Sequence, residues 1–415
     1  MGSTKRRFSH QNSCVAEALP QDVPLRYVSA MKLVIITTHP IQYMAPWFRA
    51  LAREQSLELE VIFFRELNSV QQGVGFGQAF QWDVPLRQGY SSRVLGVPAR
   101  LKAVPKLLMC LRRAVREIGP DTVLITGWNE PGLLAAYPLM RLLGVLVILR
   151  GESNTLRPRT SSVKLFHRIL LSFVSAVVVI GKVNYQFYRD NGVAEDKLFP
   201  GAYFVESERM IEMAGAHAAD RELMRSEYGF AGDDFVFVFV GKHVAFKRPM
   251  LLVEASAMLR QKGWPVRLLF AGSGELTDTL KQRASGLNVP AHFTGFLNQT
   301  EMWKAYVPAD AFVLPSTNGE TWGLVTNEAM LFGLPVIVSD QVGCGPDLVL
   351  EDETGYIFTG EAEGLAEAME RLLKNRNRAA AMGKAGRSLV LEKYSMPVAT
   401  AGLKSALRHV CDGYK

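Results

Sequence analysis

Short runs of consecutive apolar residues, each followed by a turn and then by a helical pattern, recur along this chain. Lys32–Thr38 (KLVIITT), Leu59–Phe64, Thr122–Thr126, Val145–Leu149, Ala176–Ile180, Phe235–Val240 (FVFVFV), Val266–Phe270 and Ala311–Pro315 are of this kind. A strand that is apolar on both faces needs cover on both sides. Parallel sheets provide it, because their helical crossovers lie above and below. Strands alternating with helices therefore predict doubly wound α/β units. At 415 residues the chain exceeds one ordinary core, so two such units are expected. The first is placed at residues 31–200 and the second at 201–395, with Phe199–Val205 (FPGAYFV) as the hinge and 396–415 as a last helix. Residues 1–30 are polar and irregular and read as a loose tail. Lys5-Arg6-Arg7 has no apolar run behind it, so a signal peptide is not expected.

The segment Ala311–Asp340 concentrates the chemistry. It reads as strand, Ser/Thr/Asn/Gly loop, helix over Gly323–Phe332, then strand after Gly333 and Pro335. A helix that starts at the carboxyl edge of a parallel sheet offers free N–H groups, here near Gly323 and Leu324, to an anion such as phosphate. Glu320 stands just ahead of that helix and Glu328 about two turns into it. Carboxylates beside an anion site suit sugar hydroxyls rather than phosphate. Three more loops follow strands of the second unit. Gly241–Pro249 holds Lys242, Lys247 and Arg248, enough positive charge to neutralise a diphosphate. Ala271-Gly272-Ser-Gly274 lets a backbone approach a nucleotide closely, although Gly-x-Gly alone is weak. The last loop is Phe293-Thr-Gly-Phe296.

In the first unit, His39-Pro-Ile-Gln42-Tyr43 closes the first strand, so His39 points into the crevice or serves as a turn residue ahead of Pro40. Asn129-Glu130-Pro131 follows the strand Thr122–Thr126, and Arg150-Gly-Glu152 follows Val145–Leu149. Residues 65–98 are long, Gly/Gln-rich and turn-like, as lids and acceptor loops are. The helix expected at Arg100–Ile118 carries Lys102, Lys106, Arg112, Arg113 and Arg116 on one face. That is either a solvated face or a point of peripheral contact with anionic lipid.

Formal charge +7 fits anionic substrates or an anionic membrane, and equally no special partner. No nucleic-acid partner is expected. The four cysteines (Cys14, Cys110, Cys344, Cys411) lack metal spacing and fit a reducing, cytoplasmic setting. No apolar run reaches membrane-spanning length.

Glu320-Thr-Trp-Gly-Leu-Val-Thr-Asn-Glu328, with Gly-Leu-Pro-Val-Ile-Val-Ser-Asp behind it, resembles the signature of retaining GT-B glycosyltransferases. That family includes glycogen synthases and bacterial mannosyl- and glucosyltransferases. His39-Pro-Ile-Gln-Tyr43 and Trp82-Asp-Val-Pro-Leu86…Gly89-Tyr90 resemble a bacterial polysaccharide subgroup. The resemblance implies two Rossmann-like domains facing across a cleft, the last helix crossing back to the first. It implies retaining transfer of a hexose from a nucleoside diphosphate sugar to a glycan or lipid-linked acceptor, in polysaccharide or cell-surface glycan assembly. Lys242 and Lys247 would meet the donor phosphates, with Arg248, Gly272 and Gly274 around them. N–H groups at Gly323 and Leu324 would meet the diphosphate. Phe296 would lie by the base, Glu328 would bind ribose, and Glu320 would hold the donor sugar. His39, Gln42, Asn129 and Glu130 would face the sugar and acceptor. Relatives often carry a His where Asn129 stands. Asn129 can donate a hydrogen bond but cannot act as an acid or base. No Asp-x-Asp pair follows a strand, so no metal is expected, nor any cofactor beyond the donor co-substrate. The protein is expected in the cytoplasm, with peripheral contact at the inner membrane face. Two other readings stay open: a sugar-nucleotide epimerase of the same architecture, and a nucleotide-binding scaffold with a decayed site.

Overall fold

The computed structural model describes residues 30–98 and 100–412. The expected tail falls outside these except for its last residue, and Cys14 falls outside them too. Thirteen strands form two wholly parallel sheets among the described residues. The first contains β1 (Met31–Thr37), β2 (Leu57–Phe63), β3 (Ser91–Val94), β4 (Thr122–Ile125), β5 (Leu146–Leu149), β6 (Ala176–Val179) and β7 (Leu198–Pro200), in the order β3-β2-β1-β4-β5-β6-β7. The second contains β8 (Phe235–Val240), β9 (Val266–Ala271), β10 (Ala291–Gly295), β11 (Ala311–Leu314), β12 (Val336–Ser339) and β13 (Gly355–Phe358), in the order β10-β9-β8-β11-β12-β13.

The apolar runs explain this arrangement. Every residue of β8 is buried, alternately against the two helix layers: Phe235, Phe237 and Phe239 on one side, Val236, Val238 and Val240 on the other. In the first sheet the helix Ala45–Ala52 covers one face through Trp47, Phe48 and Leu51. The helices Val104–Ile118, Pro131–Leu142 and Ser161–Leu171 cover the other. In both sheets the strand order reverses where the first strand of the unit meets a later one, at β1/β4 and at β8/β11. The crevice outside the carboxyl ends at such a point is where open α/β sheets hold ligands.

Three strands, β3, β7 and β13, did not announce themselves. β3 is a short edge strand that lies within the stretch read as turns, and only a few residues of it face an apolar neighbour. β7 takes Phe199-Pro200, read as hinge, into the first sheet. Pro200 is tolerated because it sits at the end of an edge strand.

The last helix, Met396–Asp412, leaves the second domain and packs on the first sheet. Ala399, Leu403, Ala406 and Leu407 join the core beneath β5, β6 and β7. The Trp47 indole N–H donates to Thr400 Oγ1 at 3.1 Å, and Lys404 pairs with Glu54 at 3.0 Å. Leu403→Ala is expected to cost about 3 kcal/mol of unfolding free energy by leaving a cavity under the sheet, read from the urea midpoint. An unchanged midpoint would mean that this helix is not part of the first domain's core.

Candidate active site

The carboxyl edge of the second sheet gathers most of the residues expected on the donor side. β8 ends in Gly241, and the loop after it turns through Lys242 and Lys247 to the helix Pro249–Gln261. β11 ends in the loop that carries Ser316 and Glu320 to the helix Leu324–Leu331. Lys247 and Glu320 meet in a direct ion pair, each side chain 14% exposed. Ser316 Oγ donates to the same carboxylate at 3.2 Å. Gly323 caps the helix with φ +97°, and a Cβ there would come within 2.6 Å of Leu314. The turn thus requires glycine, and it leaves the helix N–H groups beside the Lys247–Glu320 pair.

Lys242 is held from across the cleft. Its Nζ donates to Val74 O at 2.7 Å and lies 4.9 Å from the Phe76 ring centre. Burial, and then the charge of Lys247, push its pKa down. Arg248 is turned the other way, to Gly360 O and to Glu361 at 2.6 Å. Gly272 (φ +134°) leaves no open space for a ligand at its Cβ position, because the Gly241 carbonyl lies 2.0 Å from that point. Gly274 is likewise packed on the His243 backbone. These two glycines let the β8 and β9 loops touch. Phe296 follows β10 and packs against Phe80, with 4.1 Å between ring centres and the planes tilted by 31°.

Glu328 is wholly buried. Tyr306 donates to it at 2.8 Å, Tyr43 of the first domain lies against it, and Arg209 is nearby. Burial raises its pKa, against the hydrogen bonds from Tyr306 and Tyr43 and the charge of Arg209. In this closed arrangement Tyr43 stands where ribose hydroxyls were expected, and Gln42 hydrogen-bonds Tyr43.

On the first sheet, Arg65 makes a two-point pair with Glu130, at 2.8 and 2.6 Å. Both adjoin His39, whose Nδ1 lies 2.8 Å from Thr38 Oγ1. Burial, reinforced by Arg65, lowers the His39 pKa and keeps the ring neutral. Asn129 is exposed beside them. Sequence reasoning passed over Arg65. It follows β2 as His39 follows β1 and Glu130 follows β4, so strand order alone could have found it.

Sequence reasoning also left Glu152 unassigned. Glu152 bridges the cleft, accepting from Tyr203 and, at 2.8 Å, from Thr321 Oγ1, next to Glu320. Asn154 Nδ2 donates to Thr321 O at 3.0 Å. The Lys182 N–H donates to Asp347, whose carboxyl burial pushes up to about 6. Arg150 is buried between Trp47 and Tyr203, at 5.0 Å from each ring centre, and donates to Ala202 O at 2.9 Å. The Arg-Gly-Glu segment thus ties the domains together. Among the described residues no group of three or more His, Cys, Asp and Glu could hold a metal ion.

This geometry can be set beside known proteins. Residues 220–389 match the family described as Glycosyl transferases group 1. That match lies on the second domain, from the residues ahead of β8 to the helices that follow β13. The chain is 38% identical over 143 residues to a sulfoquinovosyl transferase of Arabidopsis thaliana, covering 34% of this chain and 27% of that protein. It is 34% identical over 196 residues to a GDP-mannose-dependent phosphatidylinositol monomannoside mannosyltransferase of Mycolicibacterium smegmatis, covering 45% and 51%. The chain thus spans about half or less of the length of these relatives. In fold it resembles a glycosyltransferase from Rickettsia africae (TM-score 0.71, 14% identity, 92% and 99% covered). It also resembles the Anabaena protein HepE, solved with UDP-glucose (TM-score 0.66, 17% identity, 91% and 99% covered). The fold is GT-B. These relatives are transferases, which does not favour the epimerase reading.

His243 gives the protein a pH signature. It is fully buried among Phe239, Phe270 and Phe293, with Nδ1 at 2.9 Å from Thr277 Oγ1 and Nε2 without a hydrogen-bond partner among the described residues. Burial, helped by Lys281, pushes its pKa down to about 4. The unfolded chain takes a proton near pH 6.5 and the folded one only near 4, so stability falls as pH drops between those values and is level above them. The expected loss is roughly 3 kcal/mol. His243→Gln is expected to flatten the slope of unfolding free energy between pH 4.5 and 6.5. An unchanged slope would clear His243 of it.

Proposed function

We propose that the protein transfers a hexose from a nucleoside diphosphate sugar to a glycan or lipid-linked acceptor, with retention at the anomeric carbon, in polysaccharide or cell-surface glycan assembly. The observation that carries this reading is the Lys247–Glu320 pair at the carboxyl edge of β8 and β11, beside Lys242 and the start of the helix Leu324–Leu331. As the glycosidic bond of the donor breaks, negative charge gathers on the diphosphate and the sugar becomes oxocarbenium-like. Lys247, Lys242 and the N–H groups after Gly323 are fixed donors aimed at that charge. Such preorganised stabilisation is usually the largest contribution to lowering a barrier of this kind. The donor separates the Lys247–Glu320 pair, taking the ammonium with its phosphates and the carboxylate with its sugar hydroxyls. Glu328 serves ribose once Tyr43 has moved. The retaining outcome is supported by the likeness of the Glu320–Glu328 unit, and the nucleotide-sugar donor by the UDP-glucose bound in HepE.

On the acceptor side, His39, Gln42, Asn129 and Glu130 lie on the first domain, and Arg65 holds Glu130 in place. A neutral His39 can accept a proton from an incoming hydroxyl. Lys247→Ala and Glu320→Ala are each expected to lower transfer at least about a hundredfold while the variants stay folded by circular dichroism. Full turnover in both variants would remove the assignment.

The helix Ser161–Leu171 supports peripheral contact with anionic lipid, where a lipid-linked acceptor would reside. Leu165 (59% exposed) and Ile169 (56% exposed) face solvent, with Phe166 beside them and Lys164 and Arg168 on the flank. No Asp or Glu occurs from residue 153 to 189. An apolar stripe with basic flanks suits the lipid interface. The protein is expected to sediment with phosphatidylglycerol vesicles and not with phosphatidylcholine vesicles, and to be partly released by salt. The double variant Leu165→Glu/Ile169→Glu is expected to stay in the supernatant. Wild-type protein that ignores both kinds of vesicle would remove this reading.

A further inference from the structure

The connection between β2 and β3 does not stay on its own domain. After the short helix Ser69–Gln72 it crosses the cleft and lies along the loops at the carboxyl edge of the second sheet. Val74 O accepts from Lys242 at 2.7 Å, and Phe76 O accepts from Ser273 Oγ at 2.5 Å. Gln81 O accepts from Asn298 Nδ2 at 2.7 Å. Asp83 then fastens the segment, its two carboxylate oxygens accepting the N–H groups of Gln299 and Thr300, each at 3.1 Å, and the Thr300 hydroxyl.

Between these fastenings lie three aromatic rings. Phe76, Phe80 and Trp82 surround Phe296, with ring centres at 5.0, 4.1 and 6.3 Å. Phe76 also lies between Phe296 and Lys242 Nζ, at 4.9 Å from the latter. A cation suited to phosphate and an aromatic cluster suited to a flat ring therefore adjoin one another. A nucleoside diphosphate presents the same two features at one ring's remove.

We propose that residues 73–83, carried by the first domain, form the second wall of the nucleotide site on the second domain. The base enters between Phe80 and Phe296, and the diphosphate takes Lys242 over from Val74. This rests on the nucleotide-sugar reading above. In the structure Phe80 and Phe296 are in direct contact with 31° between their planes, so the segment must lift by one ring's thickness to admit a base. Its backbone is built to do so. Gly75 (φ +85°) and Gly77 (φ +74°) adopt conformations that other residues rarely reach, and Gly77 has nothing within 4 Å of its Cβ position. The lifted segment trades one ring–ring contact for two ring–base contacts. Stacking tolerates every base because each has a π-face, so the wall supplies affinity while Asp83 and its partners set how far the segment lifts.

The test titrates the full chain with UDP, GDP, ADP and dTDP by calorimetry and carries the tightest-binding one forward. Phe80 is only half-buried, so Phe80→Ala is expected to fold, which its melting temperature checks. Phe80→Ala is expected to weaken binding about tenfold, the loss of one stacked ring, and Phe80→Trp to restore it to within about twofold. Binding by Phe80→Ala as tight as wild type, or tighter, would overturn the proposal, the latter by showing that the ring only plugs the site. Failure of Phe80→Trp to rescue would also overturn it, because stacking would then not be what was lost. A wild-type chain that binds none of the four would instead remove the nucleotide reading, and this inference with it. If wild type binds and Lys247→Ala binds equally well, only the phosphate role of Lys247 falls.

Discussion

A lysine and a glutamate from different loops face one another at the edge of the second sheet, and much of the surrounding backbone serves to keep them there. Each is largely out of water, so neither would be comfortable there without the other. The Glu320 loop is held from three sides. Ser316 contacts the carboxylate, the Gly343 and Cys344 N–H groups take the carbonyls of Glu320 and Trp322, and Asn154 reaches Thr321 from the other domain. At Gly343 a Cβ would fall 1.8 Å from Thr321 O, so the two loops touch backbone to backbone. A ligand that separates the two charges must offer an anion to one and hydroxyls to the other. A sugar phosphate ester does both in one molecule.

Beside the aromatic cluster around Phe296, several contacts between the domains are polar and specific. Glu152 to Thr321, Lys182 to Asp347 and Asp83 to Thr300 each link one domain to the other. Individually such contacts near water contribute modestly. They can be broken one at a time and remade around a guest. Glu328 is among the most enclosed of these groups, fully covered with Tyr43 of the first domain against it.

Much of this was legible in the sequence, for physical reasons. Buried parallel strands must be apolar on both faces, so β8, β9 and β11 stood out. β3 and β13 are short, lie at sheet edges and carry little such signal. The Lys247–Glu320 meeting was not readable as a contact. It follows once β8 and β11 are neighbours, because both loops leave the same edge. Arg65 was missed because an arginine after a strand has no motif of its own. Gly272 was expected to admit a ligand, whereas its freedom is used by the Gly241 carbonyl. A lone glycine cannot say which neighbour needs the room. Arg248 shows the same limit, since a basic run does not reveal which of its members turns away.

The chain passes between the domains twice, once after β7 and again before the helix Met396–Asp412. On the first domain the returning helix lies against the strand from which the chain left: a Cβ at Gly402 would lie 1.9 Å from Pro200 O. Any movement of one domain against the other must therefore bend the backbone at two places at once, as a door on two knuckles turns only when both turn together.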